Sequence, residues 1–167
     1  MKDDGKKYFG KYRGVVTNNV DPLQQGRVQV VVQDVGGQES NWAMPCSPFA
    51  GKGYGQLALP VIGTQVWVEF ENGEVRHPIC TGAFWGAGEL PPLAVPPKDT
   101  TAITLQTLKQ NGLTISDADG GSIMLKSACG ASIIINKEGI TLDNGQNAKL
   151  TLQSNTVSIN DGALEVS

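Results

Sequence analysis

The feature that most restricts the fold of this chain is a run of short apolar pairs in its second half. Between residues 103 and 166, two apolar residues separated by one other residue recur eight times, with turn-forming residues such as Asn144-Gly145 in between. Because side chains alternate with period two along a strand, each pair predicts a short strand with one apolar face. The pairs are Ile103/Leu105, Leu113/Ile115, Ile123/Leu125, Ile133/Ile135, Ile140/Leu142, Leu150/Leu152, Val157/Ile159 and Leu164/Val166.

Strands this short cannot cover their own apolar faces, which limits the arrangements that they can adopt. The first is an ordinary antiparallel meander. The second is a single-chain β-helix in which every third unit stacks on the first. The third is a prism of three copies of the chain, each contributing one strand per layer, so that all pairs meet on a shared axis. The pattern alone leaves all three open.

Aromatic and proline residues divide the chain in two. All aromatic residues lie between Tyr8 and Trp85, and all prolines lie between Pro22 and Pro97. The proline-rich stretch at the boundary favours an extended polyproline II conformation and predicts a semi-rigid spacer. We therefore expect a first domain at 1–89, a linker at 90–99 and a second module at 100–167.

The first domain is predicted to consist of strands. Residues 64–70 alternate with period two, and Glu71-Asn72-Gly73-Glu74 supplies a hairpin turn before a return strand at 78–84. Further strands are predicted at 12–17 and 27–32. Several short strands with Gly and Pro turns, and no amphipathic helix, indicate a small β-barrel.

The first domain contains several motifs in a fixed order. They are Asp21-Pro22, Gln25-Gly26-Arg27-Val28-Gln29-Val30, Trp42-Ala43-Met44-Pro45, Pro48-Phe49-Ala50-Gly51, the run 59–74, His77-Pro78-Ile79 and Gly82-Ala83-Phe84. In this order and spacing they resemble the central spike proteins of contractile injection systems. That family includes the T4-like baseplate spike, phage baseplate assembly protein V and the valine-glycine-repeat spike of type VI secretion. The resemblance implies an all-β fold, in which a small oligonucleotide/oligosaccharide-binding (OB) barrel precedes an intertwined triple-stranded β-helix formed by a homotrimer.

The resemblance implies a structural spike without enzymatic activity, cofactor or metal site. The chain departs from the family pattern in three ways. No lysozyme domain separates the barrel from the repeats, only about 12 residues precede the barrel, and the lone histidine, His77, lies in the barrel rather than in an apical His-x-His motif. We therefore expect a short form of the spike, with the hub as a separate protein.

The predicted partners follow from this assignment. A baseplate hub is expected to contact Tyr8, Phe9 and Tyr12, because buried aromatic residues commonly anchor interfaces. A small tip protein with a Pro-Ala-Ala-Arg repeat is expected to cap the end at Leu164, Val166 and Ser167, and the target membrane is contacted transiently. All sixteen residues of the apolar pairs are expected in the trimer core. Assembly is expected in the bacterial cytoplasm, and the product is a phage tail or injection particle.

Two other functions compete with the spike. The stretch 6–13 mixes basic and aromatic residues, a combination that can bind single-stranded nucleic acid on an OB barrel. The net charge of −3 argues against a dedicated nucleic-acid binder. A tail-associated hydrolase is the other alternative, but Glu69, Glu71 and Glu74 are interpreted as a solvated cluster and His77 as a structural residue.

Overall fold

Fifteen strands and four short 3-10 segments form the regular structure of residues 5–94 and 100–166, which the computed structural model describes. The chain divides into two compact units, Met1–Gly86 and Ala87–Ser167. The predicted all-β class is confirmed, and each unit is described by itself below.

The first unit contains a five-stranded sheet in the order β2-β1-β6-β7-β3 and a separate two-stranded hairpin, β4-β5. All neighbours in the larger sheet are antiparallel except β3 and β7, which are parallel. The strands are β1 (Tyr12–Asn18), β2 (Gln29–Val31), β3 (Met44–Pro45), β4 (Ala50–Gly51), β5 (Tyr54–Gly55), β6 (Gln65–Phe70) and β7 (Pro78–Ala83).

Valine side chains fill the core of this unit. The predicted alternation along β6 is confirmed, because Val66, Val68 and Phe70 are buried while the residues between them are half-exposed. The predicted turn after β6 forms a short 3-10 segment, Glu71–Gly73, in which Asn72 has a φ of 52°. The remaining core residues are Val16, Val28, Val30, Val32, Val35, Ala43 and Val75.

A carboxylate organises the loop between β1 and β2. Asp21 accepts hydrogen bonds from the backbone N–H groups of Leu23, Gln25 and Arg27, and from the Arg27 guanidinium at 2.6 Å. The Asp21 side chain is only 4% exposed, and Arg27 lies over the Trp42 ring. The Arg27 guanidinium holds the pKa of Asp21 well below its usual range, with help from the three N–H donors and against the opposing effect of burial.

The second unit contains one eight-stranded antiparallel sheet, in which the strands follow each other in sequence order from β8 to β15. Each strand contains one of the predicted apolar pairs. The strands are β8 (Ala102–Gln106), β9 (Gly112–Ser116), β10 (Ser122–Lys126), β11 (Ser132–Asn136), β12 (Gly139–Asp143), β13 (Lys149–Gln153), β14 (Thr156–Ile159) and β15 (Leu164–Val166).

This strand order decides between the arrangements that the sequence left open for a single chain. Consecutive strands pair directly, so the β-helix in which every third unit stacks within one chain is not formed. The ladder hydrogen bonds of β8 to β15 join strands of the same chain. Gly139 permits close approach of β12 and β13, because a Cβ atom there would overlap the Leu152 carbonyl group. The meander leaves one of its two faces uncovered.

The described part of the predicted linker differs from the expected extended spacer. Pro92–Ala94 forms a 3-10 turn, and the Leu93 N–H donates a hydrogen bond to the Gln106 side chain. The Leu93 carbonyl accepts a hydrogen bond from the Thr104 hydroxyl. The extended conformation is therefore wrong for these residues, because their backbone groups find partners on β8. Residues 95–99 of the linker lie outside the described residues.

Replacing Asp21 by Asn should destabilise the first unit most at neutral pH, and progressively less as the pH falls below about 4. A carboxyl group whose pKa is lowered on folding stabilises the fold above its unfolded pKa of about 3.9, and this contribution is lost as the pH falls toward the folded value. Free energies of unfolding, measured by urea titration with tryptophan fluorescence, should differ by a constant amount from pH 7 down to about pH 5, and the difference should shrink progressively from about pH 4 to pH 2. A difference that stays constant down to pH 2 would contradict this account.

Candidate functional site: the apolar face of the C-terminal sheet

Two continuous rows of aliphatic side chains cover one face of the C-terminal sheet. The strand register aligns the apolar pairs directly, for example Ile123 with Ile135 and Leu125 with Ile133. The first row contains Ile103, Ile115, Ile123, Ile135, Ile140, Leu152 and Val157, and the second contains Leu105, Leu113, Leu125, Ile133, Leu142, Leu150, Ile159 and Leu164. The backbone of Val166 pairs with Val157 at the end of the first row.

These aliphatic side chains are substantially exposed in the single chain. The exposed fraction ranges from 36% at Ile140 to 60% at Leu105 for all members of the two rows except Leu113 and Leu150, which are half-buried. A contiguous apolar surface of this extent marks an interaction site in a soluble protein. Covering one such side chain contributes about 1.5–3 kcal/mol, so the free energy available from a partner increases with every strand.

The opposite face of the same sheet is chemically different. The central residues of strands β8 to β14 pair across the sheet in register and are Thr104, Thr114, Met124, Ile134, Thr141, Thr151 and Ser158. Five of these seven residues carry hydroxyl groups, which are compatible with water, so the continuous apolar surface lies on the face with the aliphatic rows. An assembly of several copies would therefore bury the face with the aliphatic rows and expose the face that is rich in hydroxyl groups.

The three residues predicted at the hub interface have different surroundings in the first unit. Tyr8 and Tyr12 are half-buried, and their rings lie 6.1 Å and 5.6 Å from the Phe70 ring. Phe9 is 71% exposed. The structure thus brings the two tyrosines together on the barrel core and leaves Phe9 as the exposed aromatic side chain of the three.

The basic residues of the leading segment form ion pairs on the barrel. Lys7 pairs with Glu74, and Lys11 pairs with Glu69 at 2.7 Å. Arg13 lies over the Trp67 and Phe84 rings, with its guanidinium carbon 5.4 Å and 5.1 Å from their centres. These side chains therefore neutralise or cover parts of their own barrel, and the segment is not an open basic surface.

The residues predicted at the tip interface lie at the end of the sheet. β15 is the last strand in the sheet order, and Leu164 in this strand is 56% exposed. For Val166 only the backbone is described, and Ser167 lies outside the described residues. An edge strand of this kind presents backbone donors and acceptors to a further partner.

Candidate catalytic groups have structural surroundings in the described residues. His77 participates through its backbone in the turn between β6 and β7, where its N–H donates to the Glu74 carbonyl and its carbonyl accepts from Glu71. No group of three or more His, Cys, Asp or Glu residues that could hold a metal ion occurs in residues 5–94 and 100–166. Over the same ranges, no helix is long and apolar enough to cross a membrane.

Two family models together match most of the chain. Residues 12–85 match the type VI secretion system/phage-baseplate injector OB domain, and residues 102–165 match the phage baseplate V C-terminal trimerisation domain. The chain belongs to the phage-baseplate and type VI spike family. Its first unit is thus an OB domain, and the sheet with the exposed aliphatic rows is the family's trimerisation domain. This match supports a homotrimer.

Curated relatives agree with this family membership. The chain is 33% identical over 95 residues to the type VI secretion system spike protein VgrG3 of Vibrio cholerae, which is 54% of this chain and 9% of that protein. It is 30% identical over 104 residues to the spike protein VgrG1a of Pseudomonas aeruginosa, covering 59% of this chain and 15% of that protein. A third relative, the actin cross-linking toxin VgrG1 of Vibrio cholerae, is 36% identical over 87 residues, 50% of this chain and 8% of that protein. The chain therefore spans only a small part of these relatives.

The structure shows that Asp21 organises the loop between β1 and β2, which the sequence analysis did not predict. Asp21 and Arg27 belong to the segment that resembles the family, yet nothing in their spacing indicated a buried carboxylate that collects four donors. The signal that could have found it is the combination of Asp21-Pro22 with Gly26-Arg27, since Asp side chains commonly accept hydrogen bonds from backbone N–H groups of the following turn.

Replacing Ile133 by Asp should abolish a trimer that resists SDS at room temperature. The substitution places a carboxylate within the aliphatic rows, and in a trimer three such charges would be buried without partners. The matched control is Ile134→Asp, because Ile134 is the next residue and lies on the opposite face of β11. Gel mobility without boiling and light-scattering mass should show loss of the trimer only for Ile133→Asp. Equal resistance of both variants would mean that the aliphatic rows do not face a shared interior.

Proposed function

We propose that three copies of this chain form a structural spike, without enzymatic activity, at the centre of the baseplate of a contractile injection system. The observation that carries the proposal is the pair of exposed aliphatic rows on a domain that matches the family's trimerisation domain. Three such faces turned toward a common axis would exclude water from all of them at once. The polar faces would then form the outer surface of the trimer.

The sheet geometry suits a part that carries load along the stacking direction of its strands. In an antiparallel sheet the backbone hydrogen bonds run perpendicular to the strands, from one strand to the next. Compression along the stack of β8 to β15 is therefore resisted by ladder hydrogen bonds and by the aliphatic contacts inside the trimer. This supports the proposal that the spike transmits sheath contraction to the target envelope and pierces it.

The proposed partners at the two ends are a hub and a tip protein. Phe9 is the exposed aromatic side chain through which the leading segment would contact the hub, while Tyr8 and Tyr12 hold that segment on the barrel. A tip protein with a Pro-Ala-Ala-Arg repeat would cover the edge strand β15 and the exposed Leu164 side chain. Assembly in the bacterial cytoplasm and transient contact with the target membrane belong to the same proposal, as does the domain division at 1–89, 90–99 and 100–167.

The alternative of a nucleic-acid-binding OB protein has less support. The ion pairs of Lys7 and Lys11 and the stacked position of Arg13 occupy the basic side chains on which that function depends. The actin cross-linking in the name of one relative belongs to that much longer protein, and the match covers 8% of it. Neither activity is therefore part of the proposed function.

The location in the particle tests this proposal directly. Injection particles purified from the natural host, with the chain carrying an epitope tag, should show antibody label at the centre of the baseplate. In a host that produces only the Ile133→Asp variant, the label should disappear from the particles and target-cell killing or infection should fall by at least about tenfold, because a spike that does not trimerise cannot complete the baseplate. Particles that lack the wild-type protein, or label distributed along the sheath, would overturn the proposed role.

Replacing Phe9 by Ala should reduce incorporation of the spike into particles. Truncation of an exposed aromatic anchor at an interface commonly costs enough free energy to weaken binding about tenfold or more. Phe49→Ala is the matched control, because Phe49 is also an exposed phenylalanine, 57% exposed, in the same unit. Quantitative immunoblots of purified particles should show less Phe9→Ala protein and unchanged Phe49→Ala protein. Equal incorporation of both variants would show that Phe9 does not contribute to binding of the hub.

A further inference from the structure

The two sides of the C-terminal sheet, where its strands end in turns, carry different charges. We define the lysine side by the turns at 107–111, 127–131, 144–148 and 160–163 with the strand ends that flank them, and the aspartate side by the turns at 117–121, 137–138 and 154–155 with their flanking strand ends. Because β8 to β15 form a meander, alternate turns lie on opposite sides of the sheet. Each chain therefore presents two unlike borders to its neighbours.

Four charged side chains near the start of the sheet have no ion-pair partner among the described residues of their own chain. On the lysine side, Lys109 and Lys126 are exposed, and no ion pair of either is found within residues 5–94 and 100–166. On the aspartate side, the same holds for Asp117 and Asp119 across the described part of the chain. Further along the sheet, Lys137 pairs with Glu138 and Lys149 pairs with Asp161.

Those other charges complete the inventory of the two sides. Lys149 lies 3.6 Å from Asp161 on the lysine side, and Asp143 accepts a hydrogen bond from the Gly145 N–H. Lys137 and Glu138 are neighbours on the aspartate side, 4.0 Å apart. Asp143 has no ion pair among the described residues, but within β8 to β10 the unpaired charge is positive on one side and negative on the other.

The lysine side is also structurally fixed and concave. Its turns stack on each other, because the Asn111 side chain accepts a hydrogen bond from the Ala128 N–H and the Asn160 side chain accepts one from the Lys149 N–H. Gly145 leaves no room for a Cβ atom against the turn at 127–131. Beside these turns, the apolar face forms a groove of about 840 Å³ lined by residues that include Leu125, Ile133, Leu142 and Leu150.

A cyclic trimer requires that two different surfaces meet at every contact. With threefold symmetry, each chain uses one surface toward one neighbour and another surface toward the second, and rotation about the axis brings equal heights together. Lys109 lies in the turn between β8 and β9, and Lys126 ends β10. Asp117 follows β9, and Asp119 lies in the turn between β9 and β10. Along the stack of strands, the two lysines and the two aspartates therefore lie within about one strand spacing of ~4.8 Å of each other. A lysine side chain is long enough to bridge that offset.

From these observations we infer that each corner of the trimer joins the lysine side of one chain to the aspartate side of the next, with Lys109 and Lys126 paired to Asp117 and Asp119 of that neighbour. This inference rests on the proposed trimer and goes beyond it, because it assigns direction and register. The aliphatic rows alone fix neither the direction of the contact nor the register between chains. If one chain shifts by a strand relative to its neighbour, each Ile or Leu is simply replaced by another aliphatic residue.

Charge reversal tests the pairing in the full-length protein. The variant Lys109→Glu/Lys126→Glu puts like charges at every corner. The variant Asp117→Lys/Asp119→Asn does the same, because the lysine introduced at position 117 faces the two original lysines. Asn is chosen at position 119 because Asp119 has a φ of 52°, which Asn tolerates better than Lys. The fourfold variant with all these changes restores opposite charges in reversed order.

The readout is the protein concentration at which half of the trimer dissociates at a fixed urea concentration, followed by light scattering in low salt. This midpoint should be about tenfold higher for each double variant than for the wild type, because like charges face each other at every corner. The fourfold variant should recover most of that loss. Because screening weakens interactions between exposed charges, NaCl at about 0.5 M should also reduce the difference. Lys52→Glu, an exposed reversal in the first unit, should have no effect.

The outcomes separate this inference from the proposed function. A wild-type protein that is monomeric at all concentrations would overturn both. A wild-type trimer in which the double variants are as stable as the wild type, or in which the fourfold variant shows no recovery, would overturn only the corner pairing. Loss of stability in the double variants that salt leaves unchanged would also count against it, since that result indicates a folding defect.

Discussion

The interaction on which the rest of this protein depends is the burial of two rows of aliphatic side chains that its own chain leaves exposed. Each strand from β8 to β15 contributes to these rows, and the strand register aligns them across the whole sheet. The backbone hydrogen bonds between neighbouring strands form within the chain, whereas the apolar face is not covered. Oligomerisation is therefore built into the fold rather than added to a finished monomer.

The barrel differs from the C-terminal sheet in that its apolar side chains are buried within the same chain. Val66, Val68 and Phe70 on β6 form part of a valine-rich interior, and Tyr8 and Tyr12 extend that interior toward the leading segment. The Asp21 carboxylate holds the loop between β1 and β2 through hydrogen bonds that lie within the loop itself. The first unit thus has the internal packing and loop order that a docking platform needs, while the second unit obtains its packing from neighbouring copies.

Several features were predictable because they depend on local periodicity. The eight apolar pairs predicted eight strands, and each pair lies in one strand of the observed sheet. The alternation in β6 and the turn at Glu71–Gly73 were also predicted. The conformation of Pro92–Ala94 was not, because the hydrogen bonds that fix it come from Thr104 and Gln106, which are distant in sequence. The same reason explains why the unlike surroundings of Tyr8 and Phe9 were missed.

The sequence by itself determined that this is an all-β chain with a first domain of short strands and a second module whose strands cannot cover their own apolar faces, since composition and period two encode both. Only the tertiary structure decided which residues share a face and which turns share a side of the sheet. That outcome depends on the strand order and register, which bring Lys126 to one side and Asp117 to the other. The periodicity of the sequence predicts which residues of one strand share a face. The surfaces that contact neighbouring copies form only when several strands pair through hydrogen bonds.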